Sequence, residues 1–326
     1  MSINPDQQGG HARDISRTDG TLRAGHNETN MMETHHKVVF RDSRVMRDLE
    51  DSSVHLVVTS PPYPMIEMWD SLFMRMDPHI AELLDKARSP DVDRRRRQVN
   101  AVYEAMHRNL AEVWSECYRI LREGGIACIN IGDATRNIGG EFRLFPNHSK
   151  IIEHCERIGF VTLPFIAWKK PTNKPNAFLG SGFLPTNAYV TLDLEYILIL
   201  RKGGTRKFTP KDSTRYSSSF TKAQRDVWFS QIWSVRGAAQ SQGKSERRTA
   251  AFPEEIPRRL IRMFSIIGDT VLDPFLGTGT TMKVAGDLGR HSVGYELDDS
   301  LKQVIKSRLG PHIIEREDNF EFNRTD

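Results

Sequence analysis

Two hydrophobic periodicities alternate along the chain. Between residues 98 and 121, Val99, Val102, Met106, Leu110, Val113, Cys117 and Ile120 recur at steps of three and four, which predicts one long amphipathic helix. Gly124-Gly125 is expected to end it. Short runs at 38–40, 54–58, 126–131, 160–168, 195–200, 270–272 and 291–295 read as strands, and the run at 54–58 is apolar on both faces, as in a buried parallel sheet. Further helices are expected over 150–157, from about 253 to 265, over 280–288 and near 298–309. The second has Pro253, Glu254, Glu255 and Pro257 in its opening turns, where proline and acids suit a helix start. Strands alternating with helices argue for a doubly wound α/β sheet.

Four stretches break this rhythm. Residues 1–34 are polar and aperiodic, and read as a mobile arm, either a tail without a role or an arm that touches a partner. Residues 65–98 look inserted and carry the run Arg94 to Arg97, which suits a solvated helix face or a polyanion contact. A Pro/Asn/Gly-rich loop spans 169–190. Residues 204–250 are basic, with ten Lys/Arg against three Asp/Glu.

That last stretch changes what the modest overall charge means. The chain of 326 residues carries +4; ten against three gives +7 locally, so the remainder sums to −3. A basic segment set in a near-neutral body points to a polyanion partner. Arg206, Lys207, Lys211, Arg215, Lys222 and Arg225 are the candidate contacts. Aromatic residues from Phe208 to Trp233 are interleaved, with Trp228 to Trp233 assigned mainly to packing. A hydrophobic fraction of 38% suits a globular chain, and no apolar run approaches the ~20 residues of a membrane helix. Cys117, Cys128 and Cys155 make no CxxC pair and no disulfide framework, which fits a cytoplasmic setting.

The candidate chemistry lies in two strings far apart. Ser60-Pro61-Pro62-Tyr63-Pro64 follows the strand at 54–58. Its hydroxyl and the rigid Pro61 carbonyl can accept from the two N–H groups of an exocyclic amine, while proline fixes the backbone. Tyr63 offers a face for a planar base. Asp273-Pro274-Phe275-Leu276-Gly277-Thr278-Gly279-Thr280 lies between a strand and a helix, with Glu296 at the end of the next strand. Glycines let a ligand lie against backbone, and the acid can accept from ribose hydroxyls. No Gly-Lys-Ser/Thr follows, so this is not a phosphate loop.

Together the strings resemble the S-adenosylmethionine (SAM)-dependent amino-methyltransferases of DNA. The catalytic string precedes the cofactor string, as in their circularly permuted β group. The resemblance covers about residues 37–309 and includes Ile129-Asn130-Ile131-Gly132-Asp133 and Glu195-Tyr196-Ile197-Leu198. It implies a Rossmann-like methyltransferase fold with a mixed seven-stranded sheet in permuted order, a catalytic half over 35–203, a small basic recognition insert over 204–250 and a SAM-binding half over 251–326. It implies that Asp42 reaches the adenine edge, and that Phe252, Pro253 and Asp273 to Gly277 line the methionine end of the cofactor, with Gly279 and Thr280 beside them. Asn130 and Asp133 would either help Ser60 or simply form a strand-end turn.

No cysteine follows a proline, which sets cytosine-C5 chemistry aside. Ser rather than Asp at the head of the first string resembles the cytosine-N4 type; adenine-N6 transfer, an RNA substrate and an inactive DNA-binding relative are the alternatives. A base inside a duplex is out of reach, so double-stranded DNA with a flipped base is the expected substrate. The resemblance further implies a prokaryotic, nucleoid-associated enzyme of a restriction–modification system, with a cognate endonuclease and a homodimer as candidate partners.

Overall fold

The computed structural model describes residues 33–170, 185–187, 189–236, 252–310, 313–316 and 319–324. The expected arm therefore lies outside the described residues, apart from its last two positions. Thr34 is not part of an arm: it is buried and opens the first strand, β1 (Thr34–Val39). β2 (Val54–Thr59) follows. The stretch expected as an insertion folds into α1 (Asp70–Met76) and α2 (His79–Lys86), whose Phe73, Ile80 and Leu83 join the main core.

The long helix α3 (Val92–Ile120) starts six residues earlier than its apolar pattern predicts. Asp91 caps it by accepting from the Arg94 amide at 2.6 Å, an N-cap that hydrophobic spacing cannot reveal. Two of the four consecutive arginines are engaged by protein acceptors: Arg95, 8% exposed, donates to Ser89 O, and Arg96 pairs with Glu141 at 2.8 Å. All seven apolar positions of the predicted stripe are buried. The helix does not run to the glycine pair. It stops at Ile120, and Gly124-Gly125 lie inside β3 (Leu121–Ile131).

Next come a hairpin, β4 (Ala134–Ile138) and β5 (Glu141–Phe145), then α4 (Asn147–Ile158), β6 (Phe160–Lys169) and β7 (Leu194–Lys202). The basic segment contains α5 (Ser213–Ser217), α6 (Lys222–Trp228) and β8 (Ile232–Ser234). The remainder is α7 (Glu255–Phe264), β9 (Thr270–Asp273), α8 (Thr280–Asp287), β10 (His291–Tyr295), α9 (Lys302–Leu309), β11 (Ile313–Arg316) and β12 (Asn319–Arg324).

Among the described residues one sheet has the order β11-β12-β1-β10-β9-β2-β3-β7-β6-β8. It holds ten strands, not seven. The seven expected strands form its middle, and three more extend its edges: β8 beside β6, and the β11–β12 hairpin beside β1. A three-residue strand such as Ile232-Trp233-Ser234 carries too few positions for a period to show. From β1 to β3 the pairing is parallel; β7 runs antiparallel to both β3 and β6. One face is covered by α3 and α4, the other by α7, α8 and the tryptophans Trp168, Trp228 and Trp233.

The parallel strands give the sheet a carboxyl edge, where Val39, Thr59, Ile131, Asp273 and Tyr295 end, and an opposite edge, where β2, β3, β9 and β10 begin. The basic segment is fastened to that opposite edge. Arg206 forks onto Asp269, just before β9, at 2.6 and 3.0 Å. A Cβ on Gly124, near the start of β3, would lie 2.4 Å from the Arg206 amide nitrogen, so only glycine admits the crossing chain. Asp269 is 3% exposed and also accepts from the Ile266 amide. Asp269→Ala strands the guanidinium and is expected to lower unfolding stability by roughly 3 kcal/mol in urea melts, with cofactor affinity unchanged; a loss under about 0.5 kcal/mol would show that this pair does not anchor the segment.

Candidate active site

Four chain segments leave the carboxyl edge side by side. Residues after β1 bring Asp42, those after β10 bring Glu296, those after β9 bring the glycine loop, and those after β2 bring Ser60 to Tyr63. The crevice beyond the carboxyl ends of parallel strands is where such sheets bind ligands. Here it is a cavity of about 820 Å³ lined by Ser60, Pro61, Pro62 and Tyr63 on one side and Asp273 to Thr278, Thr280 and Glu296 on the other. The two strings thus share one cleft. They are also bonded: Thr59 Oγ1 donates to Asp273 Oδ1 at 2.7 Å, and Thr281 Oγ1 donates to Val58 O at 3.3 Å.

On the glycine side, the Gly277 amide, in a left-handed turn (φ 54°), donates to Glu296 Oε2 at 2.7 Å, and the Asp298 amide donates to Oε1 at 2.8 Å. Burial pushes the Glu296 carboxyl up to about 7, against the pull of these amides. Burial likewise raises Asp273 to about 6, opposed by Thr59, Thr281 and the Phe275 amide. Phe252 and Asp42 line the cleft, Asp42 with its carboxylate held by Arg44 at 2.7 Å. Pro253 and Gly279 are not among the lining residues. Gly279 instead faces Ile305 and Leu309 of α9, because its positive φ of 84° turns the chain into α8. Trp69, Leu72 and Met76 complete the wall. They come from the stretch expected as an insertion, and no motif marks them.

On the proline side, the Ser60 hydroxyl lies 3.3 Å from Tyr63 Oη. Tyr63 donates to Glu195 Oε2 at 2.9 Å, and Asn130 Nδ2 donates to both Tyr63 Oη and Glu195 Oε2, at 2.9 and 2.7 Å. Lys170 pairs with the other Glu195 oxygen. Burial and the adjacent Glu195 hold the Tyr63 hydroxyl well above the usual phenol range, so it stays protonated. Asn130 therefore reaches Tyr63 rather than Ser60. Asp133 is turned to His148, at 2.7 Å, whose ring stacks on Tyr196. Asn147 Nδ2 braces both loops by donating to Pro64 O and Gly132 O. Glu195 escaped the sequence reading as a site residue, although an acid heading an apolar strand, Glu195-Tyr196-Ile197-Leu198, was the available signal.

The six basic candidates do not gather at this cleft. Arg206 is committed to Asp269 at the far edge, and Arg206 and Arg215 both lie over the Phe208 ring, at 4.7 and 4.4 Å. Lys207 and Lys211 are exposed on the same segment. Lys222 and Arg225 both pair with Asp226. Trp228 and Trp233 pack into the core as expected, whereas Phe229 is 58% exposed. The rest of the basic segment, 237–250, lies outside the described residues. All three cysteines are buried, and burial pushes their thiols up, which leaves no thiolate for attack on a base.

A family model described as DNA methylase (N6_N4_Mtase) matches residues 54–307. The chain belongs to this DNA methylase family. It is 63% identical over 291 residues to the Type II methyltransferase M.MjaI of Methanocaldococcus jannaschii, covering 89% of this chain and 95% of that one. It is 47% identical over 287 residues to M.MthZI of Methanothermobacter thermautotrophicus, covering 85% and 77%. Among solved structures, the candidate DNA modification methylase TTHA0409 of Thermus thermophilus, complexed with S-adenosyl-L-methionine, superposes with a TM-score of 0.64 at 32% identity, over 85% of this chain and 95% of that one.

This member of the DNA methylase family is a SAM-dependent DNA amino-methyltransferase with a Rossmann-like fold. The cleft fits that cofactor: a buried carboxylate pinned between two amides sits beside a glycine turn, in a cavity of the size that encloses a small molecule. The raised Glu296 has a readable consequence. Its folded-state value exceeds the ordinary 4.5, so the ligand-free fold holds a proton there that the unfolded chain releases, and the stability this confers is lost as pH rises from about 4.5 through about 7. If this carboxylate holds the cofactor's ribose, hydroxyls donating to it would favour its ionised form. SAM affinity should therefore rise from pH 6 to pH 8 in calorimetric titrations, and Glu296→Gln should weaken binding about 10- to 100-fold and flatten the profile. A wild-type affinity independent of pH across that range would remove Glu296 from the cofactor contact.

Proposed function

We propose that the chain methylates the N4 amino nitrogen of a cytosine swung out of duplex DNA, as the modification enzyme of a Type II restriction–modification system. The observation that carries this reading is Ser60, a neutral hydroxyl at the head of the proline loop, in one cleft with Glu296 and the glycine turn. The amino group of a nucleobase is a poor nucleophile because its lone pair is delocalised into the ring. Ser60 Oγ and the Pro61 carbonyl accept from its two N–H groups and favour the tetrahedral geometry that frees the lone pair. Pro61 and Pro62 are buried and hold that carbonyl still. Tyr63 presents its ring to the extruded base, a contact worth ~1–3 kcal/mol, and the aromatic face favours positive charge growing on the base.

When bound, SAM supplies a sulfonium methyl as electrophile. Glu296 would hold its ribose hydroxyls and Asp42 its adenine edge, with Phe252, Asp273 and Phe275 around the methionine end. Thr59 and Asp273, bonded to each other, keep the base side and the cofactor side at a fixed separation.

Nucleoside mass spectrometry of duplex DNA treated with the enzyme should find N4-methylcytosine; N6-methyladenine as the sole product would overturn the choice of base. Ser60→Ala should lower kcat by about 10²–10³-fold while SAM Kd changes less than about threefold. Equal losses in both would show that Ser60 supports the fold of the cleft rather than the transfer.

A further inference from the structure

We infer that Glu195, through Tyr63, fixes which way the Ser60 hydroxyl points, and so makes Ser60 an acceptor toward the substrate amine. The inference rests on the reading of Ser60 just given and concerns what makes that hydroxyl usable. A serine hydroxyl carries one donor and two acceptor sites, and its proton rotates to suit its surroundings. Facing a base amine, a Ser60 whose O–H pointed into the cleft would present a donor to a donor. Something must turn the proton away.

The hydrogen-bond chain behind Ser60 does so. An ionised carboxylate accepts only. Glu195 Oε2 lies 2.9 Å from Tyr63 Oη, so the Tyr63 O–H donates to it. Burial beside Glu195 keeps that phenol protonated, so the donor is always present. Tyr63 Oη then has only acceptor sites left. One receives Asn130 Nδ2 at 2.9 Å; the other faces Ser60 Oγ at 3.3 Å. Ser60 must donate there, which leaves its lone pairs toward the cleft.

Two further contacts lock the direction. Asn130 Nδ2 also donates to Glu195 Oε2 at 2.7 Å, and Lys170 holds the other oxygen. Both demand an acceptor at Glu195. Glu195 is 9% exposed and is the second residue of β7, whose pairing with β3 sets it across from the end of the strand that bears Asn130. Glu195 touches no substrate; it is a positioning residue. Glutamine at this place would keep the shape but not the direction. Lys170 would draw the amide oxygen to itself and leave the NH2 facing Tyr63, which reverses the chain and turns the Ser60 proton into the cleft.

The test is a double-mutant cycle on the full-length enzyme, with SAM and a duplex carrying its site. Glu195→Gln should lower kcat up to about 100-fold, with SAM Kd and the thermal midpoint close to wild type. Tyr63→Phe, which keeps the ring and removes the hydroxyl, should give a loss of similar size in kcat with little change in KM for DNA. In a Ser60→Ala background, Glu195→Gln should cost less than about threefold, because no hydroxyl remains to be oriented. The inference is overturned if Glu195→Gln lowers kcat by the same factor with and without Ser60, or if Tyr63→Phe turns over like wild type. If Ser60→Ala itself leaves kcat unchanged, the reading of Ser60 falls and the inference with it; a large Ser60→Ala loss with additive Glu195→Gln sinks the inference alone.

Discussion

A buried hydrogen bond, Thr59 Oγ1 to Asp273 Oδ1, couples the two sides of the cleft. Its partners are 214 residues apart in sequence, yet they end adjacent parallel strands, β2 and β9, paired from Leu56–Val271 to Val57–Leu272. That register sets where the proline loop begins relative to the glycine loop. Because strand positions alternate between faces, a slip of one residue would turn Thr59 away from Asp273. The apolar continuity of both strands, buried on each face, makes such a slip costly. The geometry of the cleft is therefore inherited from packing in the middle of the sheet.

Much of this was legible in the chain, for identifiable reasons. β2 and β9 read correctly because strands covered on both sides are apolar in their middles, as at Leu56-Val57-Val58 and Val271-Leu272. α3 read correctly along its buried stripe because a helix against a sheet must repeat near 3.6 residues. The functional strings were visible because proline and glycine are rarely interchangeable with anything else. What failed to show was set by contacts between distant segments. The start of α3 depends on an Asp91 cap. β8 and the β11–β12 hairpin exist because β6 and β1 offer unpaired edges. Gly124-Gly125, read as a helix stop, makes room for the chain around Arg206. Gly279, expected beside the cofactor, instead caps α8 and does not line the cleft.

Charge proved the least local of the signals. A run of cations is a statement about composition, and composition does not say which end of a sheet a segment crosses. Arg206 of the basic segment is paired with Asp269 outside it, so part of that segment's surplus is neutralised by the rest of the chain, while Arg96 is paired with Glu141 at the surface. Glu195 is the converse case. A lone acid among Tyr196, Ile197 and Leu198 carries little weight in a sequence, but folded it stands behind the tyrosine of the proline loop. The residues expected beside Ser60 likewise divide: Asn130 joins that network, while Asp133 is taken by His148.

The sheet order also bears on how the protein is made. β1 lies not beside β2 but between β10 and β12, so the wall of the cleft that bears Asp42 and Glu296 draws on β1 and β10, which are far apart in sequence. During translation β1 must wait for more than two hundred further residues before its neighbour emerges, a long-range closure of the kind that slows folding. A nascent chain halted after β7 would carry the serine–proline loop without β9, β10 or Glu296. Such a product would lack the glycine turn and the buried carboxylate that line the other side of the cleft.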